Sequence, residues 1–241
     1  MRIIGVIPAR YGSTRFPGKP LAAIKGVSLI ERVWQRASRS KRLDDVIVAT
    51  DDDRIAEAVH AFGGRVVMTS ARCASGTDRL AEVARKEEPL AGIFINIQGD
   101  EPLIPPSLID RLAAGLLKEK SIPAITAAAV MTNRGDIVNP NIVKVVCDCR
   151  GRALYFSRSA IPFFRSGKSA RYLQHIGIYG YRRSFLLEFA GWPRTVLERT
   201  EQLEQLRILE HGYPLQVAVT TYAAHGVDVL EDIASIERLL P

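Results

Sequence analysis

"IIGVIPARYGSTRFPGKPL", residues 3–21, joins an apolar run that stops at Pro8 to a loop holding Arg10, Arg15 and Lys19. The run is short, rich in Ile and Val and closed by a proline, which reads as a buried β-strand. The three cations of the loop repel one another unless an anion joins them. Ser13 and Thr14 add hydroxyl donors, and Gly12 and Gly18 let backbone N–H groups come close to a ligand. The loop is not a Walker A sequence, because GxxxxGK[ST] is missing, and it is not the dinucleotide fingerprint GxGxxG. A solvated surface loop can look the same. The position directly after a buried strand argues instead for an anionic ligand.

Working outward, "SLIERVWQRAS" (28–38) has apolar residues at helical spacing, with Ser28 as its N-cap. "DVIVAT" (45–50) reads as a second buried strand, and "DRIAEAVHAF" (53–62) as a helix closed by Gly63 and Gly64. "RVVM" (65–68) is a third strand. "SGTDRLAEVARK" (75–86) is a capped helix, and "GIFINIQ" (92–98) is a fourth strand running into "GDEP". "PSLIDRLAAGLL" (106–117) is a helix with proline in its first turn, and "AITAAAV" (124–130) is a fifth strand. Strands alternating with single helices make βαβ units, hence an α/β fold with a parallel sheet covered on both faces. Ligands of such sheets bind beyond the carboxyl ends of the strands. The loops 8–19 and 98–102 both follow strands and belong at that edge.

The second half differs. "NIVKVVCDCRGRALYFSRS" (141–159) predicts two strands turning near Arg150 and Gly151, and "QHIGIYGYRR" (174–183) predicts another. "LERTEQLEQLRILEHG" (197–212) predicts one helix closed by Gly212. A late strand (215–220) and a C-terminal helix (231–240) follow. The expectation is one domain. Residues 1–135 and 212–241 form its core, and 136–211 form an inserted, β-rich region over the sheet edge.

The chain has 241 residues, 47% hydrophobic and 24% charged, enough to bury a core without staples. Its net charge is +7. That suits nucleic acid or phosphorylated substrates, but the basic residues form no block of five or six, which counts against a nucleic-acid binder. Cys73, Cys147 and Cys149 are odd in number and lack zinc-site spacing, so reduced thiols in a cytosolic protein are expected. No run is apolar enough for a signal-peptide core or a membrane span.

"NIQGDEPLI" (96–104) delivers Asp100 and Glu101 to the edge where the basic loop lies. Carboxylates beside a polyphosphate need a divalent cation between them, and Mg²⁺, with oxygen ligands and retained waters, is the usual one. An Asp ahead of Pro105 and Pro106 can also be a turn residue. "GVDVLED" (226–232) offers Asp228 as a second metal carboxylate, with Asp232 capping the final helix.

"IPARYGSTRFPGKPL", "VATDD", "ASGTDRL", "NIQGDEPLI", "NPNIVKVV", "ALYFSRSAIPF", "HIGIYGYR", "LEQLRILEHG" and "GVDVLED" together resemble the 3-deoxy-manno-octulosonate cytidylyltransferase family over almost the whole chain, in order. The resemblance implies a Rossmann-like, mostly parallel sheet with helices on both faces, of the nucleotidyltransferase type, with an inserted sugar-binding and dimerisation region. It implies CMP transfer from CTP to the sugar acid Kdo with release of pyrophosphate, for lipopolysaccharide synthesis. A cytoplasmic, Mg²⁺-dependent homodimer is implied too, with no nucleic-acid partner and no membrane insertion.

By matching motif positions, Arg10, Ser13 and Lys19 would lie along the CTP, Ser75 and Gly76 would touch the nucleotide, and Gln98 would bridge toward the sugar. Lys19, Arg10, Asp100 and Asp228 would carry the chemistry, with Asp100 and Asp228 holding Mg²⁺. Arg158, His175, Tyr179, Glu201 and Gln205 would form the Kdo pocket. The residue types suit the ligand. An Arg fork matches a carboxylate, and the others offer mixed donors and acceptors to sugar hydroxyls. On a continuous helix Glu201 and Gln205 would share one face. Tyr155, Phe156, Phe163, Phe164 and Tyr172 read as packing or dimer contact. Two departures from the family stand out. The segment 163–174 is shorter than in many relatives, and "GVDVLED" stands where "GVDTPED" is common. The same chemistry on 8-amino-Kdo or sialic acid is the neighbouring reading.

Overall fold

The computed structural model describes residues 1–12, 16–166 and 171–240. In chain order the elements are β1 (Arg2–Pro8), β2 (Ala23–Ile24), β3 (Val27–Ser28), α1 (Leu29–Ala37), β4 (Asp45–Thr50), α2 (Asp53–Ala61), β5 (Arg65–Met68), α3 (Gly76–Lys86), β6 (Ala91–Asn96) and α4 (Pro106–Lys118). They continue with β7 (Ala124–Val130), α5 (Arg134–Val138), β8 (Lys144–Cys147), β9 (Ala153–Ser157), β10 (Leu173–Arg182), α6 (Arg183–Phe189), α7 (Val196–Glu201), α8 (Leu206–Glu210), β11 (Leu215–Thr220) and α9 (Asp232–Leu239).

β1 is buried on both faces, and the two faces feed different cores. Ile3 and Ile7 join one cluster, with residues of α1, α2, α4 and α9. Ile4 and Val6 join the other, with residues of α3, α6 and α8. This is why the strand reads as a continuous apolar run rather than an alternating one. Each fully buried Ile contributes about 1.5–3 kcal/mol. Local signals set the helix starts: the Ser28 side chain accepts from the Glu31 N–H at 3.3 Å, and Ser75 and Asp78 form a capping box at α3.

The main sheet has the order β11-β7-β10-β6-β1-β4-β5 among the described residues. Its pairs are parallel except those of β10, which is antiparallel to both β6 and β7. From β1 the chain winds outward to β4 and β5, then returns through α3 to β6 on the other side of β1. The β6/β1 boundary is therefore the switch point, where such sheets bind ligands.

Two expectations change. β10 lies in the middle of the sheet rather than over its edge, and of the strands between residues 136 and 211 the β8–β9 hairpin stands off the main strand order. The helix expected over 197–212 is broken. Gln202 adopts a left-handed φ of 55°, and α7 and α8 are separate, so Glu201 and Gln205 do not share a helical face.

Candidate active site

The site grows from four chain segments at the switch point. β1 ends at Pro8, and its continuation stays tied to the sheet because the Ala9 N–H donates to the Ala49 carbonyl at 2.9 Å. Gly18 takes φ 73°, and a Cβ there would also lie 3.1 Å from the Tyr11 hydroxyl. This glycine turns the chain into the short 3-10 turn Lys19–Leu21. The loop after β6 comes very close to β1, since a Cβ on Gly99 would sit 2.9 Å from the Pro8 carbonyl oxygen. The N-terminus of α3 approaches from the third side, with a Cβ on Gly76 only 3.0 Å from Pro8 Cγ. Together these segments enclose a cleft of about 290 Å³, lined by residues including Arg10, Lys19, Ser75, Gly76, Gln98, Asp100 and Asp228.

Lys19 sits at the centre of the charges. Its Nζ donates to Asp100 Oδ2 at 2.8 Å and to the Val227 carbonyl at 2.8 Å, and it lies 3.9 Å from Asp228 Oδ1. Two carboxylates from different loops thus share one ammonium. Among the described residues no group of three or more His, Cys, Asp or Glu is arranged to hold a metal ion. Two aspartates on one cleft wall offer the carboxylate oxygens that Mg²⁺ takes, an ion that keeps waters and completes its shell with substrate phosphates.

The loop carrying Asp228 is held from behind. The Tyr222 hydroxyl and the His225 N–H both donate to Glu101 Oε2, at 2.8 and 3.2 Å. Burial, and then the neighbouring Asp100 and Asp228, push the Glu101 carboxyl up to about 7, against the Tyr222 hydrogen bond. Asp232 was expected to cap the final helix. The N-cap position falls on Glu231, and Asp232 Oδ2 accepts instead from the Asp228 and Val229 N–H groups at 2.7 and 3.0 Å. Its role is to hold the backbone of Asp228.

The structure brings Arg10, Lys19, Ser75, Gly76, Gln98, Asp100 and Asp228 into one cleft. Ser13, Thr14 and Arg15 lie outside the described residues. The sugar-pocket candidates lie apart from the residues lining the cleft: Arg158 follows β9, His175 and Tyr179 are on β10, Glu201 ends α7 and Gln205 precedes α8. Glu201 accepts from the Ser157 hydroxyl at 2.6 Å and from the Arg158 N–H at 2.9 Å. The Arg158 side chain donates to the carbonyls of Glu201 and Pro140 at 2.9 and 3.0 Å, so its fork is partly committed to backbone. The His175 ring meets Phe156 edge-on at 5.0 Å and Tyr179 at 5.5 Å. Burial raises the Tyr179 hydroxyl, which stays protonated. Gln205 is buried, and its Nε2 has no partner among the described residues. Gln98 joins the two regions, since a Cβ on Gly177 of β10 would be 3.7 Å from its Cγ.

Sequence reasoning missed Arg79. It lines the cleft, is almost fully buried, and is locked by Asp51 at 2.7 Å and the Thr69 hydroxyl at 2.7 Å. The signal was present, because Arg79 lies one turn after the Ser75 cap and its partner follows strand β4. Cys73 also borders the cleft. Burial, and then Glu82, push its thiol up to about 11, so it remains an unreactive thiol.

A mostly parallel sheet with a basic loop, a helix N-terminus and strand-end aspartates at its switch point defines an α/β nucleotidyltransferase. Solved structures agree on the fold. A 4-diphosphocytidyl-2C-methyl-D-erythritol synthase from Anaerococcus prevotii aligns over 99% of this chain and 97% of its own at TM-score 0.64, though only 14% identical. A CMP:2-keto-3-deoxy-manno-octonic acid synthetase complexed with CTP aligns over 99% of this chain and 98% of its own, at TM-score 0.95 and 42% identity. The family model described as cytidylyltransferase matches residues 4–221. The 3-deoxy-manno-octulosonate cytidylyltransferase of Syntrophotalea carbinolica is 49% identical over 100% of this chain and 99% of its own. That of Desulfosudis oleivorans is 50% identical over 100% and 98%. The chain belongs to the 3-deoxy-manno-octulosonate cytidylyltransferase family.

Proposed function

We propose that this chain transfers CMP from CTP to the anomeric 2-hydroxyl of Kdo, giving CMP-Kdo and pyrophosphate for lipopolysaccharide synthesis. The observation that carries this reading is Lys19 poised between Asp100 and Asp228 on the wall of a basic cleft at the sheet's switch point. In the reaction the sugar oxygen forms a bond to the α-phosphorus as the bond to the pyrophosphate oxygen breaks, and the hydroxyl proton is released. Arg10 and Lys19 neutralise charge that grows on the phosphate oxygens. The first-turn N–H groups of α3, beside Ser75 and Gly76, offer further donors to the nucleotide. Gln98 faces both the cleft and β10, and so spans nucleotide and sugar.

Asp100 and Asp228 would hold Mg²⁺, which when bound draws charge from the phosphates and acidifies the attacking hydroxyl. The sugar acid is assigned to the cluster of Arg158, His175, Tyr179, Glu201 and Gln205. We assign the protein to the cytoplasm, in keeping with its free thiols, and to a homodimer. No helix among the described residues is long and apolar enough to cross a membrane.

The test is pyrophosphate release from the purified protein with CTP, Kdo and Mg²⁺, each left out in turn. Release that requires all three supports the reading. Release with 8-amino-Kdo or sialic acid but not Kdo moves the specificity. No release with any sugar acid overturns the enzyme assignment.

A further inference from the structure

β10 carries an irregularity beside the cleft. Its pairing with β7 runs His175 to Ala128 and Ile176 to Ala127, then jumps to Tyr179 opposite Thr126. Gly177 and Ile178 are therefore bulged out of the ladder, and Gly177 faces Gln98. Thr126 is fully buried beneath the bulge. Its Oγ1 lies 2.8 Å from the Ile178 carbonyl, 3.3 Å from the Ile176 carbonyl and 3.0 Å from His175 Nε2.

A hydroxyl has one hydrogen to give, and carbonyls can only accept. Were that hydrogen given to the imidazole, two carbonyl oxygens would face bare lone pairs. It goes instead to Ile178, and His175 Nε2–H must then donate to Thr126. Burial depresses the His175 pKa to about 3, so the ring carries a single proton. Nδ1 has no hydrogen-bond partner among the described residues, and it is not one of the buried orphaned atoms. It is left as an acceptor that none of the described residues satisfies.

We propose that Thr126 is a positioning residue for the sugar subsite: its hydroxyl stitches the bulge and fixes His175 as the Nε2–H tautomer, so that Nδ1 accepts a hydrogen bond from a sugar hydroxyl. The assignment of a sugar to this cluster rests on the function proposed above. The tautomer and its cause do not.

Two measurements separate these. Two-bond ¹H–¹⁵N correlation spectra of the free protein at pH 7, with His175→Gln to assign the ring, are expected to show a pyrrole-like Nε2 and a pyridine-like Nδ1 at His175. The opposite pattern, or a doubly protonated ring, overturns the inference whatever the substrate is. In kinetics, Thr126→Val is expected to raise KM for the sugar acid about tenfold, the scale of one lost hydrogen bond, with KM for CTP within about twofold of wild type. Thr126→Ser should restore the wild-type value. An unchanged sugar KM, a joint rise in both KM values, or a Ser variant as impaired as the Val variant overturns the positioning role. Should Thr126→Val fail to fold, Thr126→Ala takes its place with the same expectations. A wild type that turns over no sugar acid sinks the proposed function, while the spectra still decide the tautomer.

Discussion

Lys19 bonded to Asp100 and close to Asp228 makes the three side chains one electrostatic unit. Asp100→Asn keeps the shape and removes a charge, so kcat should fall about 100-fold or more while the melting temperature holds. Near wild-type pyrophosphate release at saturating Mg²⁺ would remove Asp100 from the chemistry. His175 predicts a pH effect on stability. Its ordinary value is 6.5 and its folded value about 3, so the unfolded chain binds the extra proton first. The contribution is full above pH 6.5 and is lost as pH falls toward 3. Urea midpoints measured across that window should drop with acid, and His175→Gln should drop less. Lys19 and Asp100 were readable in the sequence because strand ends in a parallel sheet mark the ligand edge. Thr126 was not, because a Thr within "AITAAAV" reads as an ordinary strand former, and its partners come from β10 about fifty residues away.

Among the elements, the β8–β9 hairpin depends on one buried cation. Lys144 is fully buried, and its Nζ donates to the carbonyls of Asn139, Ile142 and Arg158 at 2.9, 2.6 and 2.5 Å. Lys144→Met fills the same space but leaves three acceptors unmet, so unfolding should become easier by about 2–4 kcal/mol. A shift in the urea midpoint reads this directly, and no shift would mean that water reaches those carbonyls. The helices α1 to α4 and the strands of the main sheet in the first half matched their sequence signals because local cues mark them: α1, α2 and α3 begin at side-chain caps, and α4 begins at a proline. The 197–212 segment misled because its composition favours helix throughout, whereas the break at Gln202 answers to tertiary demands. There the Arg207–Glu198 pair is buried at 2.8 Å, and Glu204 accepts from the Thr77 hydroxyl of α3 at 2.5 Å. Local propensity yields to such contacts.

At the scale of the molecule, large apolar side chains are exposed at several places along the chain, and two of them, Leu154 at 61% and Phe163 at 86%, lie in the region expected to dimerise. The homodimer proposed above would cover them. Sedimentation should give twice the chain mass for the wild type and a shift toward monomer for Leu154→Asp. A variant that stays dimeric would place the contact elsewhere. The parallel sheet and its ligand edge were legible, because βαβ alternation is a local pattern. The position of β10 was not, because nothing within a strand names its neighbours. That position has a consequence for synthesis. When β6 and β7 have left the ribosome they cannot pair with each other, since the strand that belongs between them ends at Arg182. The nascent chain must carry an open edge on β6 and on both sides of β7 until β10 and then β11 arrive. A fragment ending near residue 135 therefore exposes these edges and should aggregate rather than fold alone, and the growing chain would depend on chaperones during this interval.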